Sequence, residues 1–258
     1  MAVLRYILIL VCFFSVNAYA ERVISLAPNI TEIIYKLGGG DKLVGVTSMC
    51  DYPAEVHRID KVGSYFRPNL EKIISLNPDL VFGMEEGANA AIRDRLGLFK
   101  INNQFYTAGS IEDIIFIIED IGNRLNLPYE NITGNINTLY SSNFESRAKG
   151  IMIINIDPVI AVGGGVFIND ILRCGGFENL LQDSLSKYPR ISLEAIYKLK
   201  PEYILYSKMD SVTGINHLKS KLDRTGIETK YIALNPDIFN RASYRITDAC
   251  MFLRENVR

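Results

Sequence analysis

NLEKIISLNPDLV at residues 69–81 and SLEAIYKLKPEYI at residues 192–204 are one phrase written twice. Each copy opens on a polar side chain suited to capping a helix (Asn69, Ser192) and carries an acid in the first turn (Glu71, Glu194). Each then stops at a proline (Pro78, Pro201) ahead of a strand-like run. The register extends upstream, where Tyr65 and Arg67 stand at the same offsets from Leu70 as Tyr188 and Arg190 stand from Leu193. A helix–proline–strand unit alone is ordinary α/β punctuation. A matched pair with matched flanks predicts two similar lobes, with equivalent loops on either side of a cleft, a favoured place for a small-molecule site.

Outward from the repeat, the first half reads as a strand over 22–26, a helix over 30–37 closed by Gly38-Gly39-Gly40, and a strand over 42–47. A loop over 48–62 and, after the repeat, a polar segment over 85–95 precede a strand at 104–107. Ser110, with Asp113 three residues on, caps an apolar helix over 111–125. The second half opens with strands over 151–156 and 159–162, a glycine run at 163–165 and a helix over 167–173. It closes with a strand at 231–234 and a helix from about Ser243. Strands alternating with helices predict mostly parallel sheets, hence two Rossmann-like α/β lobes. Ile132, Ile136, Leu139, Tyr140 and Phe144 recur at helical spacing in the polar stretch between the halves, and predict a single connecting helix. The expected layout is a signal peptide over 1–20, an N-terminal lobe over 21–125, a connecting helix over 126–149 and a C-terminal lobe over 150–258.

The signal-peptide expectation rests on Arg5, an apolar run over 6–16 too short to span a bilayer, and the A-x-A site Ala18-Tyr19-Ala20. The bulky Val11 before Cys12 argues against a lipid anchor there. Export implies an oxidising compartment, in which Cys50, Cys174 and Cys250 remain. An odd number leaves one thiol over. A Cys174–Cys250 bridge would tie the last helix to its own lobe, and Cys50 is then the free one.

With 48% hydrophobic residues and a formal net charge of −1, the chain can bury a core and has no electrostatic bias toward nucleic acid. Its two histidines, His57 and His217, are too few for an imidazole-based metal cage, and no G-x-S-x-G elbow is present. Neither an enzyme nor a resident cofactor is expected; Cys50 is the only foothold for a nucleophile. The glycines at 163–165 read as a tight strand-to-helix turn rather than a phosphate cradle, since the P-loop Lys-Ser/Thr is missing. What remains is a set of aromatic, soft and cationic side chains in strand-to-helix loops: Met49, Cys50, Tyr65, Phe66, Met84, Tyr188, Arg190 and Arg241. Loops at strand carboxyl ends are where open parallel sheets bind ligands. Aromatic faces there would grip a large amphipathic molecule, and arginine its polar edge.

RVISLAPNITE (22–32), VGVTS (44–48) with DYP (51–53), the 69–81 repeat, CGGFEN (174–179) and NRASYRI (240–246) together resemble a known family. It is that of the ABC-importer substrate-binding proteins with a single-helix connector, which serve cobalamin, haem and ferric siderophores. The likeness covers the whole mature chain and is greatest to the cobalamin-serving branch. It implies a ligand cleft lined by Pro28, Met49, Tyr65, Met84, Ile160, Tyr188, Asp237, Asn240 and Arg241. It also implies a Cys174–Cys250 disulfide, and docking of Glu71 and Glu194, one acid per lobe, onto the permease dimer of an inner-membrane importer by a monomeric binding protein. The expected function is capture of cobalamin or a related corrinoid, with haem or a ferric siderophore as the alternative. The chain departs from that branch in having no tryptophan: Tyr65, Met84 and Tyr188 stand where the branch has indoles, and Asn240 where it has an acid.

Overall fold

The computed structural model describes residues 22–86, 89–142, 144, 148–207, 212–224 and 226–257, so the segment expected as a signal peptide lies outside the described residues. The first lobe runs β1 (Val23–Ser25), α1 (Pro28–Lys36), β2 (Leu43–Val46), α2 (Leu70–Ser75), β3 (Leu80–Met84), α3 (Asn89–Leu98) and β4 (Asn103–Tyr106). Its strands form an all-parallel sheet in the order β2-β1-β3-β4. The chain leaves β1 for β2 on one side and returns to β3 on the other. The carboxyl ends of β1 and β3 therefore flank a topological switch point, where the loops part and leave room for a ligand.

Two helices, α4 (Ile111–Leu125) and α5 (Glu130–Ser141), lead to the second lobe. That lobe comprises β5 (Ala148–Ile156), β6 (Val159–Ala161), α6 (Phe167–Cys174), β7 (Phe177–Asn179), α7 (Leu193–Leu199), β8 (Tyr203–Ser207), α8 (Val212–Asp223), β9 (Lys230–Leu234), α9 (Pro236–Phe239) and α10 (Ile246–Asn256). Its sheet has the order β6-β5-β8-β9 with β7 also on β5; β6 is antiparallel and the other pairings are parallel. The fold is thus α/β with two mostly parallel sheets, as the repeat predicts.

The two copies of the repeat are built alike down to their caps. Asn69 Oδ1 accepts from Lys72 N at 3.0 Å at the start of α2, and Ser192 Oγ accepts from Ala195 N at 3.1 Å at the start of α7. Both helices close on a left-handed residue directly before the proline, Asn77 at φ +46° and Lys200 at φ +47°. Proline keeps its predecessor out of the right-handed helical region, so the turn ends at the same place in each copy.

The connection between lobes differs from expectation in extent. Asn126 takes a left-handed φ of +53° and ends α4, so the helix placed over 126–149 occupies only Glu130–Ser141. Helix α4 bridges the lobes, packing against α1 of the first and α6 of the second. Its N-terminus carries the reciprocal Ser110–Asp113 capping box, and Ile111 N also donates to Asp170 Oδ2 of α6 at 3.1 Å. Its buried stripe of Ile111, Ile114, Ile117, Ile118, Ile121 and Leu125 belongs to a central core shared by the lobes, which also takes in Ile30 and Ile34 of α1, Ile171 of α6 and Leu253 of α10. Each sheet keeps a smaller outer cluster, around Ile24, Val81 and Leu96 in one lobe and Ile151, Ile204 and Leu218 in the other.

Among the described residues, four of these elements have no counterpart in the sequence reading. Helix α3 overlaps the stretch read as a polar segment and runs on to Leu98, β7 is three residues long, α8 has only a weak apolar stripe, and α9 is a single turn of four residues. Cys174 and Cys250 form a disulfide, Cα to Cα 5.6 Å, that fastens α6 to α10, and Cys50 is free. The glycine run is a packing device. A Cβ on Gly163 would collide with the carbonyl of Ser186, and one on Gly164 with the carbonyl of Gln182, so this backbone is closed off by the 182–189 loop.

Candidate functional site

A cleft of about 570 Å³ opens between the lobes, within the range of small-molecule sites. The N-terminal lobe supplies the loops at the carboxyl ends of β1 (Pro28, Asn29), β2 (Met49, Asp51), β3 (Met84, Glu86) and β4 (Ala108), together with Tyr65 and Phe66. The C-terminal lobe supplies Phe167, Tyr188 and the 236–242 segment. The switch-point geometry of the first sheet therefore meets the last strand-to-helix connection of the second.

The walls are held by backbone pairing. Ser64 and Arg67 exchange two backbone hydrogen bonds at 3.2 Å, making a tight loop that presents Tyr65 and Phe66, whose rings meet edge to face with centroids 5.0 Å apart. Across the cleft the segment carrying Tyr188 is stitched to β6 and its neighbour: Gly163 N donates to Lys187 O at 2.8 Å and Ala161 N to Pro189 O at 3.0 Å. Met49, Phe66 and Tyr188 are 45%, 57% and 45% exposed, so large apolar groups stand at the rim. Deeper in, Met84 is buried and its sulfur accepts from Asn29 Nδ2 at 3.3 Å, while that amide also donates to Ala242 O at 3.2 Å across the lobes.

At the floor is a charge network. Arg241 Nη1 donates to Glu32 Oε1 at 2.8 Å and to Asp51 Oδ1 at 2.7 Å. Its Nη2 reaches Asp51 Oδ2 at 3.1 Å and Asp237 Oδ1 at 3.1 Å. The wholly buried Glu32 carboxylate also accepts from Ser243 Oγ at 2.6 Å and stands 3.6 Å from Arg245 Nη1. Burial works against the Arg241 charge, but the bonds to Asp51 and Glu32 outweigh it and raise its pKa. The same Arg241 bonds hold the Asp51 carboxyl below the ordinary carboxylate range. Tyr65 is pushed up to about 12 by burial and secondarily by the charge of Glu86, and Tyr188 is raised by the same two causes. Both phenols are therefore neutral hydrogen-bonding groups at any physiological pH.

Of the side chains singled out in the sequence, Pro28, Met49, Tyr65, Phe66, Met84, Tyr188, Asp237, Asn240 and Arg241 meet in this one cleft. Three do not. Cys50 is buried beneath α1 with its sulfur 3.2 Å from both Thr31 Oγ1 and Thr47 Oγ1, and burial raises its pKa, so it offers neither cleft surface nor a thiolate. Ile160 is bridged through its backbone to Arg190 on the outer edge of the second sheet. That pairing turns Arg190 away from the cleft into a separate hollow of about 610 Å³ beside His217 and Lys221 of α8. The sequence reading missed Glu32, Asp51 and Glu86. Glu32 and Asp51 fall within the quoted stretches, but they lie 209 and 190 residues from Arg241 and no local pattern joins them. Glu71 and Glu194 occupy the first turns of α2 and α7; both are exposed, and Glu194 is paired with Lys198 at 2.8 Å.

Two parallel-sheet lobes around a preformed, ligand-sized cleft define a bilobal substrate-binding protein. The family model described as periplasmic binding protein matches residues 23–110. A vitamin B12-binding protein of Vibrio parahaemolyticus is 30% identical over 248 residues, 93% of this chain and 90% of the relative. The structure of the periplasmic vitamin B12 binding protein of Vibrio cholerae superimposes with a TM-score of 0.77 at 26% identity, covering 92% of this chain and 96% of that one. A periplasmic heme binding protein of Pseudomonas aeruginosa shares the fold, with a TM-score of 0.77 at 19% identity over 92% of each chain. The chain belongs to the periplasmic binding protein family.

Proposed function

We propose that this protein captures cobalamin or a related corrinoid in the periplasm and delivers it to an inner-membrane ABC importer, without making or breaking a covalent bond. The observation that carries the reading is the cleft wall. Tyr65, Phe66, Met84 and Tyr188 offer broad apolar faces from both lobes, and neutral phenols, Asn240 and the Asp51–Arg241–Asp237 set offer polar partners for an amide-rich rim. Relatives that bind vitamin B12 and align over nine-tenths of the chain support it. The alternative is haem or a ferric siderophore, with Tyr65 or Tyr188 of the cleft near the metal; a periplasmic heme binding protein shares the fold.

The remaining parts of the reading follow the same logic. Residues 1–20 direct export and are removed; residues 21–125 and 150–258 form the lobes, with 126–149 between them. Glu71 and Glu194 dock on basic sites repeated in a two-fold symmetric permease, the duplication supplying one acid per lobe and charge complementarity setting the orientation. The protein works as a monomer. Calorimetric titration of the mature protein with cyanocobalamin, and separately with haemin, tests the ligand; the chain has no tryptophan for an indole fluorescence assay. Saturable one-to-one binding of cyanocobalamin alone is expected, and binding of haemin alone would overturn the corrinoid reading. In transport assays, Glu71→Ala with Glu194→Ala should leave ligand affinity intact and abolish most uptake; undiminished uptake would refute the docking role.

A further inference from the structure

We propose that the cleft selects by charge, accepting uncharged or cationic molecules and rejecting carboxylated ones. Resting on the corrinoid reading, this assigns it to corrinoids whose peripheral side chains are all amides. An arginine in a binding cleft ordinarily signals an anionic ligand. Here the surroundings reverse that meaning. Among the described residues, the ionisable groups lining the cleft, besides the neutral tyrosines, are Asp51, Glu86, Asp237 and Arg241. With Glu32 and Arg245 immediately behind, the network sets three carboxylates, Glu32, Asp51 and Asp237, against two guanidiniums.

Arg241 is also already committed. Its two terminal nitrogens are shared among Glu32, Asp51 and Asp237 at 2.7–3.1 Å. Arg245 is held between Glu32 and the face of Tyr52, 4.4 Å from the ring centroid. A ligand carboxylate could reach Arg241 only by displacing one of these acids, an exchange of like for like that gains little and leaves the displaced acid in the ligand's vicinity. Glu86 also lines the cleft, near enough to Tyr65 and Tyr188 to disfavour their ionisation. An amide meets the opposite situation. Asp51 and Asp237 are 51% and 48% exposed at the side chain, so beyond their bonds to Arg241 they present accepting oxygens toward incoming N–H groups. Acceptors, held in place by a cation they neutralise, face a ligand rim built of donors.

The test compares cyanocobalamin with its monocarboxylic acid isomers, in each of which one peripheral amide is replaced by a carboxylate, by calorimetry on the mature protein at pH 7.5. A neighbouring like charge in a partly desolvated site gives a discrimination on the order of tenfold against the acid for at least one isomer, shrinking as salt is raised. The doubly substituted protein Asp51→Asn, Asp237→Asn should narrow that ratio to about threefold or less, because Arg241 then has a donor to spare. Both side chains are half exposed, and circular dichroism checks that the variant is folded. Equal affinity for cyanocobalamin and every acid isomer would overturn charge selection and leave the corrinoid reading standing. An undiminished ratio in the folded double variant would overturn the assignment to Asp51 and Asp237. Failure of the parent and all the acids to bind would overturn both readings together.

Discussion

Replacing Glu32 by glutamine removes one charge and almost no volume from the best-buried point of the interlobe network. The carboxylate is wholly inaccessible and faces Arg241 at 2.8 Å, Ser243 at 2.6 Å and Arg245 at 3.6 Å, all of the C-terminal lobe, while Glu32 itself sits on α1 of the N-terminal lobe. Breaking a buried pair by removing one partner typically costs about 3–5 kcal/mol, because the surviving charge is left without compensation. Asp51 and Asp237 continue to pair Arg241, and the glutamine can still accept one hydrogen bond, which places Glu32→Gln near the lower end, about 3 kcal/mol. For a chain of this size 1 kcal/mol moves Tm by about 2–4 °C, so calorimetric melting should show a drop of roughly 6–12 °C. Arg241→Met added to Glu32→Gln should cost less than the sum of the single changes, since the charge left over by one is removed by the other. A Tm within about 2 °C of the parent for Glu32→Gln would refute the reasoning, showing that the network contributes nothing net to holding the lobes.

Removing the disulfide with Cys174→Ser and Cys250→Ser opens a bridge with a sequence separation of 76 residues. Loop entropy puts its contribution at about 4 kcal/mol, and thermal melting of the double variant should register the loss; an unchanged melt would refute it. Asp51 gives a pH dependence of definite sign. Its folded-state pKa is depressed, chiefly by its hydrogen bonds to Arg241, so its stabilising contribution is present above the unfolded carboxylate value and is lost as pH falls through the folded value. Below the ordinary carboxylate range the parent should therefore lose stability faster than Asp51→Asn, and parallel acid denaturation curves for the two would count against the assignment. Tyr65, pushed up to about 12, should stay protonated in ultraviolet titration until well past pH 10. A tyrosinate absorbance step below pH 10 that Tyr65→Phe removes would overturn the neutral-phenol role.

Several features of this chain are local, and for that reason legible in its sequence. The caps Asn69 and Ser192, the prolines that end the repeat helices and the Ser110–Asp113 box each act within four residues or across one turn, and all appear in the structure where the pattern places them. The apolar stripe of α4 is strong enough to delimit its helix to the residue. Helix α3 is not legible because its apolar periodicity is faint, and the bounds of α5 are not, because the spacing of its isoleucines does not show where its last turn ends. The loops of the cleft were found because strand carboxyl ends are predictable once the strands are; the exclusion of Cys50 and Arg190 was not, since both lie in such loops and only packing turned them away.

By itself the sequence determined two duplicated α/β lobes, their caps and turns, and a belt of aromatic and thioether side chains facing a common space. The meaning of Arg241 was decided by the tertiary structure alone. Read along the chain it is a cation in a polar loop; folded, it is shared among a buried acid of α1 and two acids of the cleft rim. Helix caps and periodicity are interactions between near neighbours and are written in the local order of residues. Charge compensation depends on distance in space, and the partners that turn this cleft from anion-seeking to anion-rejecting are brought within 3 Å only when the two lobes close over one core.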